Sequence, residues 1–392
     1  MRRGLVALAL VLGGLAAGSA RAAGPVVLGE INPRTGLLAV QGTAIHQDIL
    51  LAVEEANARG GLAGRRIELH SRDDEGAPQR AIAAAEELAS RQGAVALIGG
   101  YVDSLVGPIA EVADRTRIPY LATASLDERL TRRGNRWFFR ISSPAPYVAA
   151  TVGIVLDVFK PRAVAIFHSS TPGATQIARR QKEALEQKGV AVPVLEPFAP
   201  GLSDFTPLLA RLRDRGAEVL LSDTFFADHL LLTRQMAQSG ITLKAFLGAF
   251  GMEFPAVIRE LGPASEGLFG TTSWLPGIYL GGREAESAAF VAAFTARFGG
   301  EPAPLTMHGY AAARALLAAI EGVVTAGREP TGPAVRDALA RVDVETPLGR
   351  VKFGATGEPL FYERVVVQIQ NGRHVVVYPR ERATAAARYT AR

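Results

Sequence analysis

Almost from end to end, the sequence alternates between short apolar runs and longer segments whose apolar residues recur at helical spacing. That alternation predicts βαβ units: parallel strands joined by right-handed helical crossovers. It is clearest between Leu97 and Ser125. Leu97-Ile98-Gly99-Gly100-Tyr101-Val102-Asp103-Ser104 runs from an apolar strand through small residues into a helix. Ile118-Pro119-Tyr120-Leu121-Ala122-Thr123-Ala124-Ser125 repeats the order. In an open parallel sheet such turns lie at the carboxyl ends of the strands, where ligands bind. Helix N-termini there present unpaired N–H groups. Two such turns side by side can hold a small polar group without metal or cofactor, so the pattern points to binding rather than catalysis.

The rest of the chain keeps the same grammar. Pro25–Ile31, Arg66–His70 and Ala94–Ile98 read as strands, separated by helices over Gln41–Arg59, stopped by Gly60-Gly61, and Ala77–Arg91. Pro108 falls just past the first turn of a helix beginning near Asp103 or Ser104, a less favourable place for proline. Trp137–Arg140 is a short strand, and Ile141–Pro146 reads as a crossing into a second series. There Val164–Phe167, Val219–Leu221 and Ala245–Leu247 are strands, and Thr175–Lys188, Pro207–Arg215 and Phe226–Ser239 are helices. Thr271–Pro276 reads as a crossing back. Helices over Arg283–Phe298, Leu305–Ala326 and Pro333–Arg341 follow, then strands over Arg350–Phe353, Arg364–Gln370 and Arg373–Tyr378, with Asn371-Gly372 as a hairpin turn. The organisation is α/β, with two lobes able to hinge over a cleft.

At 392 residues the chain is long enough for two ordinary domains, and 48% hydrophobic with 21% charged residues is globular. Met1-Arg2-Arg3, the apolar Leu5–Leu15 and Ala20-Arg21-Ala22 have the form of a signal peptide, residues 1–22, cleaved after Ala22. Its apolar part is shorter than the roughly 20 residues a membrane span needs, and no other segment reads as a span. Cleavage removes three arginines and no acid, lowering the formal charge from +5 to +2. A mildly basic product with scattered arginines argues against nucleic-acid binding. The product is expected in the periplasm.

Catalytic signatures are missing. There is no Gly-x-x-x-x-Gly-Lys loop, Gly-x-Gly-x-x-Gly or Gly-x-Ser-x-Gly, and no cysteine. His46, His70, His168, His229, His308 and His374 are isolated and read as surface or core residues rather than ligands. Asp73-Asp74-Glu75 lacks the spacing of a calcium loop and reads as a solvated turn. No cofactor, no metal and no enzymatic activity are expected.

The residues carry a family resemblance. Leu28-Gly29, Pro33-Arg34-Thr35-Gly36, Ala52-Val53-Glu54-Glu55-Ala56-Asn57-Ala58-Arg59-Gly60-Gly61-Leu62-Ala63-Gly64 and Arg72-Asp73-Asp74 resemble the opening of type I periplasmic solute-binding proteins. These are the leucine/isoleucine/valine-binding-like components of ABC importers. Ile98-Gly99, Ile118-Pro119, Leu130-Thr131, Asp204-Phe205 and Phe294 to Phe298-Gly299 before Tyr310-Ala311-Ala312 continue it over nearly the whole mature chain. The resemblance implies two Rossmann-like lobes with parallel central sheets, a multi-strand hinge and a ligand enclosed by closure. Lobe 1 is expected in 23–143 plus 275–344, lobe 2 in 144–274 plus 345–380, and a flexible tail in 381–392.

Carried over by position, first-lobe contacts fall on Gln41, Tyr101, Asp103, Ser104, Thr123, Ala124 and Ser125, and second-lobe contacts on Gly173, Thr224, Phe225, Phe226 and Phe250. In the amino-acid binders a serine stands where this chain has Asp103, and an acid that receives the α-ammonium stands where it has Phe250. Tyr101, Phe225, Phe226 and Phe250 would instead wall an apolar or aromatic pocket, so a solute without the standard α-amino contact is expected. Asp103 as a plain helix cap, and some phenylalanines as plain core, are the competing readings. Glu30 stands where the family usually has an apolar residue, facing the cleft or pairing locally. The expected partners are a small organic solute and an inner-membrane ABC permease, with the protein a monomer. A ligand sensor reporting to a membrane receptor is the alternative, and an exported hydrolase a second one.

Overall fold

A computed structural model describes residues 24–132, 134–279 and 282–390, so the leader expected at 1–22 lies outside the described residues. The first sheet comprises β1 (Val26–Asn32), β2 (Ile67–Asp73), β3 (Ala96–Tyr101), β4 (Tyr120–Ala124) and β5 (Phe138–Arg140). Its order is β2-β1-β3-β4-β5, with every pairing parallel. Next come β6 (Ala163–Ser169), β7 (Ala191–Phe198), β8 (Val219–Asp223), β9 (Ala245–Gly248) and β10 (Phe269–Thr272). After the hairpins β11–β12 (Trp274–Leu275, Ile278–Tyr279) and β13–β14 (Asp343–Thr346, Gly349–Lys352), β15 (Val365–Gln370) and β16 (Arg373–Tyr378) close the second sheet. Its order is β16-β15-β10-β9-β8-β6-β7, parallel except that β15 and β16 run antiparallel to their neighbours.

The helices are α1 (Ala39–Ala58), α2 (Pro78–Ser90), α3 (Asp103–Thr116), α4 (Arg129–Arg132), α5 (Pro144–Ile154), α6 (Pro172–Gln187), α7 (Thr206–Asp214), α8 (Phe226–Ser239), α9 (Pro255–Leu261), α10 (Glu284–Phe298), α11 (Thr306–Thr325) and α12 (Gly332–Leu339). Pro78, Pro144, Pro172, Pro207, Pro255 and Pro333 all stand in first turns, where the lost N–H had no helical partner. α3 passes straight through Pro108, and the carbonyl this orphans, four residues back at Ser104, lies on an exposed residue.

One apolar core surrounds the first sheet and draws on α1–α3 and α10–α12. Two more cover the faces of the second, one with α5 and α6, the other with α7–α9. The segment Gly36–Ala58 is long and apolar enough to cross a membrane by length and composition, which the sequence reading missed. Here Ile45, Ile49, Ala52 and Val53 of α1 are buried in the first core, and α1 packs along α11.

Two expectations change. Val351 and Phe353 belong to the first core, with Phe353 edge-on to Phe139 at 5.2 Å. The last passage to the second sheet therefore lies nearer Val365 than residue 345. Nor is the tail loose up to Thr390. Gln368 and Gln370 donate to the carbonyls of Arg388 (2.7 Å) and Ala386 (2.8 Å), and the Thr384 and Thr390 N–H groups to those of Val376 and Lys244, both at 2.8 Å. Side-chain amides of β15 thus hold the last residues as a strap across the second sheet.

Candidate functional site

Between the lobes, at the carboxyl ends of both parallel sheets, lies a cavity lined by residues of both lobes. The first lobe contributes Tyr101, Val102, Asp103, Ala124, Leu126 and Ser142; the second contributes Tyr147, Thr171, Ala174, Phe225, Phe250, Gly251, Glu253 and Phe254. Thr272, Ser273, His308 and Arg364 close it on the hinge side.

The first-lobe turn is bent into place by unusual backbone. Gly99 and Gly100 have φ of +112° and +89°, and a Cβ on Gly100 would meet the Tyr120 hydroxyl at 2.1 Å. Val102 also has positive φ (+64°), strained for a β-branched residue. The turn is held by Asn32, whose Oδ1 accepts from the Gly100 N–H at 2.9 Å while its Nδ2 donates to Glu30 at 2.7 Å. Glu30 therefore pairs locally, taking Ser71 and His46 (2.8 Å) as well, and supports the site from behind.

Asp103 lies in the first turn of α3 and is buried. Its Oδ1 accepts from Ser125 Oγ and from the N–H groups of Leu126 and Asp127, all at 2.8 Å. The same loop is held by Arg140, which donates to the Ser125 (3.2 Å) and Asp127 (3.1 Å) carbonyls and pairs with Glu358. Burial pushes the Asp103 carboxyl upward, and its three donors pull it back.

Aromatic rings from both lobes form one wall. Tyr101 meets Phe225 edge-on at 5.9 Å, Phe225 lies 6.0 Å from Phe250, and Tyr147 meets Phe250 at 5.5 Å. Against the Tyr147 end of this wall sits a buried polar cluster. The Arg364 guanidinium stands 3.7 Å from the centre of the Tyr147 ring, donates to Thr271 Oγ1 (3.0 Å), the Thr271 carbonyl and Tyr362 Oη (2.9 Å), and lies 4.0 Å from Glu253. The other Glu253 oxygen, Oε2, has no hydrogen-bond partner among the described residues. His308 Nε2 contacts Ser273 Oγ (3.0 Å) and Tyr362 Oη (3.1 Å), while burial, with Arg364 nearby, lowers its pKa to about 3 and keeps it neutral.

Desolvation raises the Glu253 carboxyl to about 7 against the opposing pull of Arg364. An acid whose folded-state pKa exceeds its unfolded one costs stability as pH rises between the two. The ligand-free protein is expected to lose on the order of 3 kcal/mol from this group between about pH 4.5 and 7. Glu253→Gln should flatten that part of the stability curve in urea titrations; an unchanged slope would place its origin elsewhere.

Of the sequence candidates, Tyr101, Asp103, Ala124, Phe225 and Phe250 line the cavity. The others serve its frame. Gln41 is buried on α1, and Ser104 faces solvent, one helical step from Asp103. Thr123 Oγ donates to the Gly100 carbonyl (2.7 Å), the Ser125 hydroxyl is spent on Asp103, and Thr224 Oγ donates to Asp228 (2.6 Å). Phe226 stacks on Phe254 at 5.9 Å. Gly173 lies against Asp103: a Cβ there would come within 2.2 Å of Oδ2. The sequence reading found Phe250 where the amino-acid binders have an acid; Glu253, three residues on, brings an acid to the cavity. Glu253, His308 and Arg364 were missed because they come from three segments far apart in sequence. The only local signal was an acid inside an otherwise apolar turn.

Two lobes that meet over a cavity, with an aromatic wall and a few convergent polar groups, define a ligand clamp. The comparisons give it a family. The chain belongs to the periplasmic binding protein family, whose model matches residues 25–373, and its two-lobed α/β fold is that of the type I class. It is 28% identical over 371 residues to an amino acid binding protein of Pseudomonas aeruginosa, covering 94% of this chain and 96% of that one. Among solved structures it resembles the Streptococcus pneumoniae branched-chain amino acid transporter substrate-binding protein in complex with isoleucine. The TM-score is 0.81 at 19% identity, covering 91% of this chain and all of that one. A solute-binding protein of R. palustris in complex with benzoate gives a TM-score of 0.79 at 20% identity, covering 90% and 96%.

Proposed function

We propose that this protein is the solute-capturing component of an ABC importer, acting as a periplasmic monomer that hands a small organic solute to an inner-membrane permease. The solute lies between the lobes with an apolar or aromatic body against Tyr101, Phe225 and Phe250, and a polar end toward Glu253. The observation that carries this reading is the wall shared by both lobes: Tyr101 and Phe225 touch only when the lobes are together, so a body wedged beside them favours the closed form. Differential affinity for that form is what drives closure. Relatives of the same fold hold isoleucine in one case and benzoate in another, so the wall and polar groups of this chain must choose. A ligand bridging both lobes needs no catalytic step.

The test is a thermal-shift screen of the mature chain against aliphatic amino acids, aromatic acids, amides, amines and polyamines, followed by calorimetry. A ligand at 100 times its dissociation constant adds about 2.7 kcal/mol of stability. Stabilisation by aromatic or other compounds lacking an α-amino acid group, without response to leucine, is the expected result. A preference for leucine, isoleucine or valine would overturn the ligand class, and turnover of a ligand would overturn the binding role.

A further inference from the structure

We infer that Asp103 is a built-in carboxylate that fills the anion seat of the cleft, so that the protein selects solutes presenting no carboxylate to the first lobe. The inference rests on the cleft being the solute site. Three donors converge on one Asp103 oxygen: Ser125 Oγ and the N–H groups of Leu126 and Asp127, each at 2.8 Å. A hydroxyl and two successive backbone N–H groups aimed at one point form a cradle for an oxyanion. Here the chain supplies the oxyanion itself, from a residue that lines the cavity.

The cradle is built rather than incidental. Its backbone is fixed from below by Arg140, donating to the Ser125 and Asp127 carbonyls, and by Ser142, whose hydroxyl accepts from the Ser125 N–H at 3.1 Å and donates to its carbonyl at 3.0 Å. The second Asp103 oxygen faces Gly173 in the first turn of α6. A solute carboxylate therefore finds these donors occupied and a like charge beside them, an arrangement that selects by repulsion. On the second lobe, Glu253 also lines the cavity, and one of its oxygens has no hydrogen-bond donor among the described residues. The solute class is a neutral or cationic compound with an N–H or O–H donor and an apolar or aromatic body.

Two measurements separate this inference from the reading beneath it. In Asp103→Ala the vacated cradle should accept acetate or formate: thermal stability falls, and either anion restores it beyond the effect of equimolar chloride, whereas wild type shows no such response. Absence of that difference overturns the built-in carboxylate whatever the solute is. Asp103→Asn, which keeps the shape and removes the charge, guards against a variant that does not fold. The second measurement pairs benzamide with benzoate and phenethylamine with phenylacetate. Wild type should prefer the uncharged or cationic member by roughly a hundredfold, and Asp103→Asn should narrow the gap at least tenfold. Wild-type binding of the carboxylates as tight as their partners overturns the selectivity while leaving solute capture standing. Acetate rescue with silence across the pairs upholds the cradle and counts against the aromatic solute reading alone.

Discussion

Arg364→Met is expected to cost about 3–5 kcal/mol of folding stability, the usual effect of removing one partner from a buried charge cluster. Arg364 is almost fully buried and spends its donors on Thr271 and Tyr362. Methionine fills much the same volume, so the loss measures charge and hydrogen bonds rather than a cavity. It leaves Glu253 in the same burial without the attraction that opposes desolvation. The loss should therefore be larger at pH 8 than at pH 5, where the carboxyl takes up a proton. Adding Glu253→Gln should recover part of it, since contacting residues couple. Chemical denaturation of the four proteins of this cycle at both pH values is the check. Equal losses at both would mean that Arg364 acts by packing alone.

Gly173→Ala is expected to leave folding stability equal or slightly higher and to weaken solute binding by about a hundredfold or more. Alanine is favoured over glycine in a helix by up to about 1 kcal/mol, and Gly173 lies in α6. The added Cβ, however, would come within 2.2 Å of Asp103 Oδ2 and 2.9 Å of Leu126 Cβ, both on the opposite lobe. Beside this contact the lobes are clasped by Gln176, whose Oε1 accepts from the Glu128 N–H (3.0 Å) and whose Nε2 donates to Asp127 (2.6 Å), and by the Arg180–Glu128 pair. The substitution acts on the closed arrangement alone, and a hundredfold drop in its population lowers apparent affinity by the same factor. Small-angle scattering of variant and wild type with the solute from the screen would report the closure, and calorimetry the affinity. A variant that closes and binds as wild type does would show that α6 can shift aside at little cost.

Much of the architecture was legible because periodicity is a local property. The βαβ alternation, the prolines opening α7 and α12 and the turn at Asn371-Gly372 each need only a few neighbouring residues. The site was legible where strand ends advertise themselves: Tyr101, Phe225 and Phe250 each come two or three small or polar residues after an apolar run. It failed by single steps where a helix begins, since one residue along α3 turns Ser104 to solvent, and one along α8 turns Phe226 onto Phe254. Nothing local marks Arg364 or His308 as partners of Glu253; the fold brings them together. The tail misled because its order comes from the side-chain amides of Gln368 and Gln370, which read as ordinary strand residues.

The threading of the lobes bears on when the polypeptide can fold. The face of the first sheet that receives Ile45 and Ile49 is completed by α11, whose residues begin at 306. The second sheet is likewise completed only by β15 and β16, from Val365 onward. A nascent chain of 280 residues thus has neither core finished, and exposed apolar faces delay compaction. Late completion ties both lobes to one event: neither can compact fully before the segments beyond residue 306 and Val365 are in place.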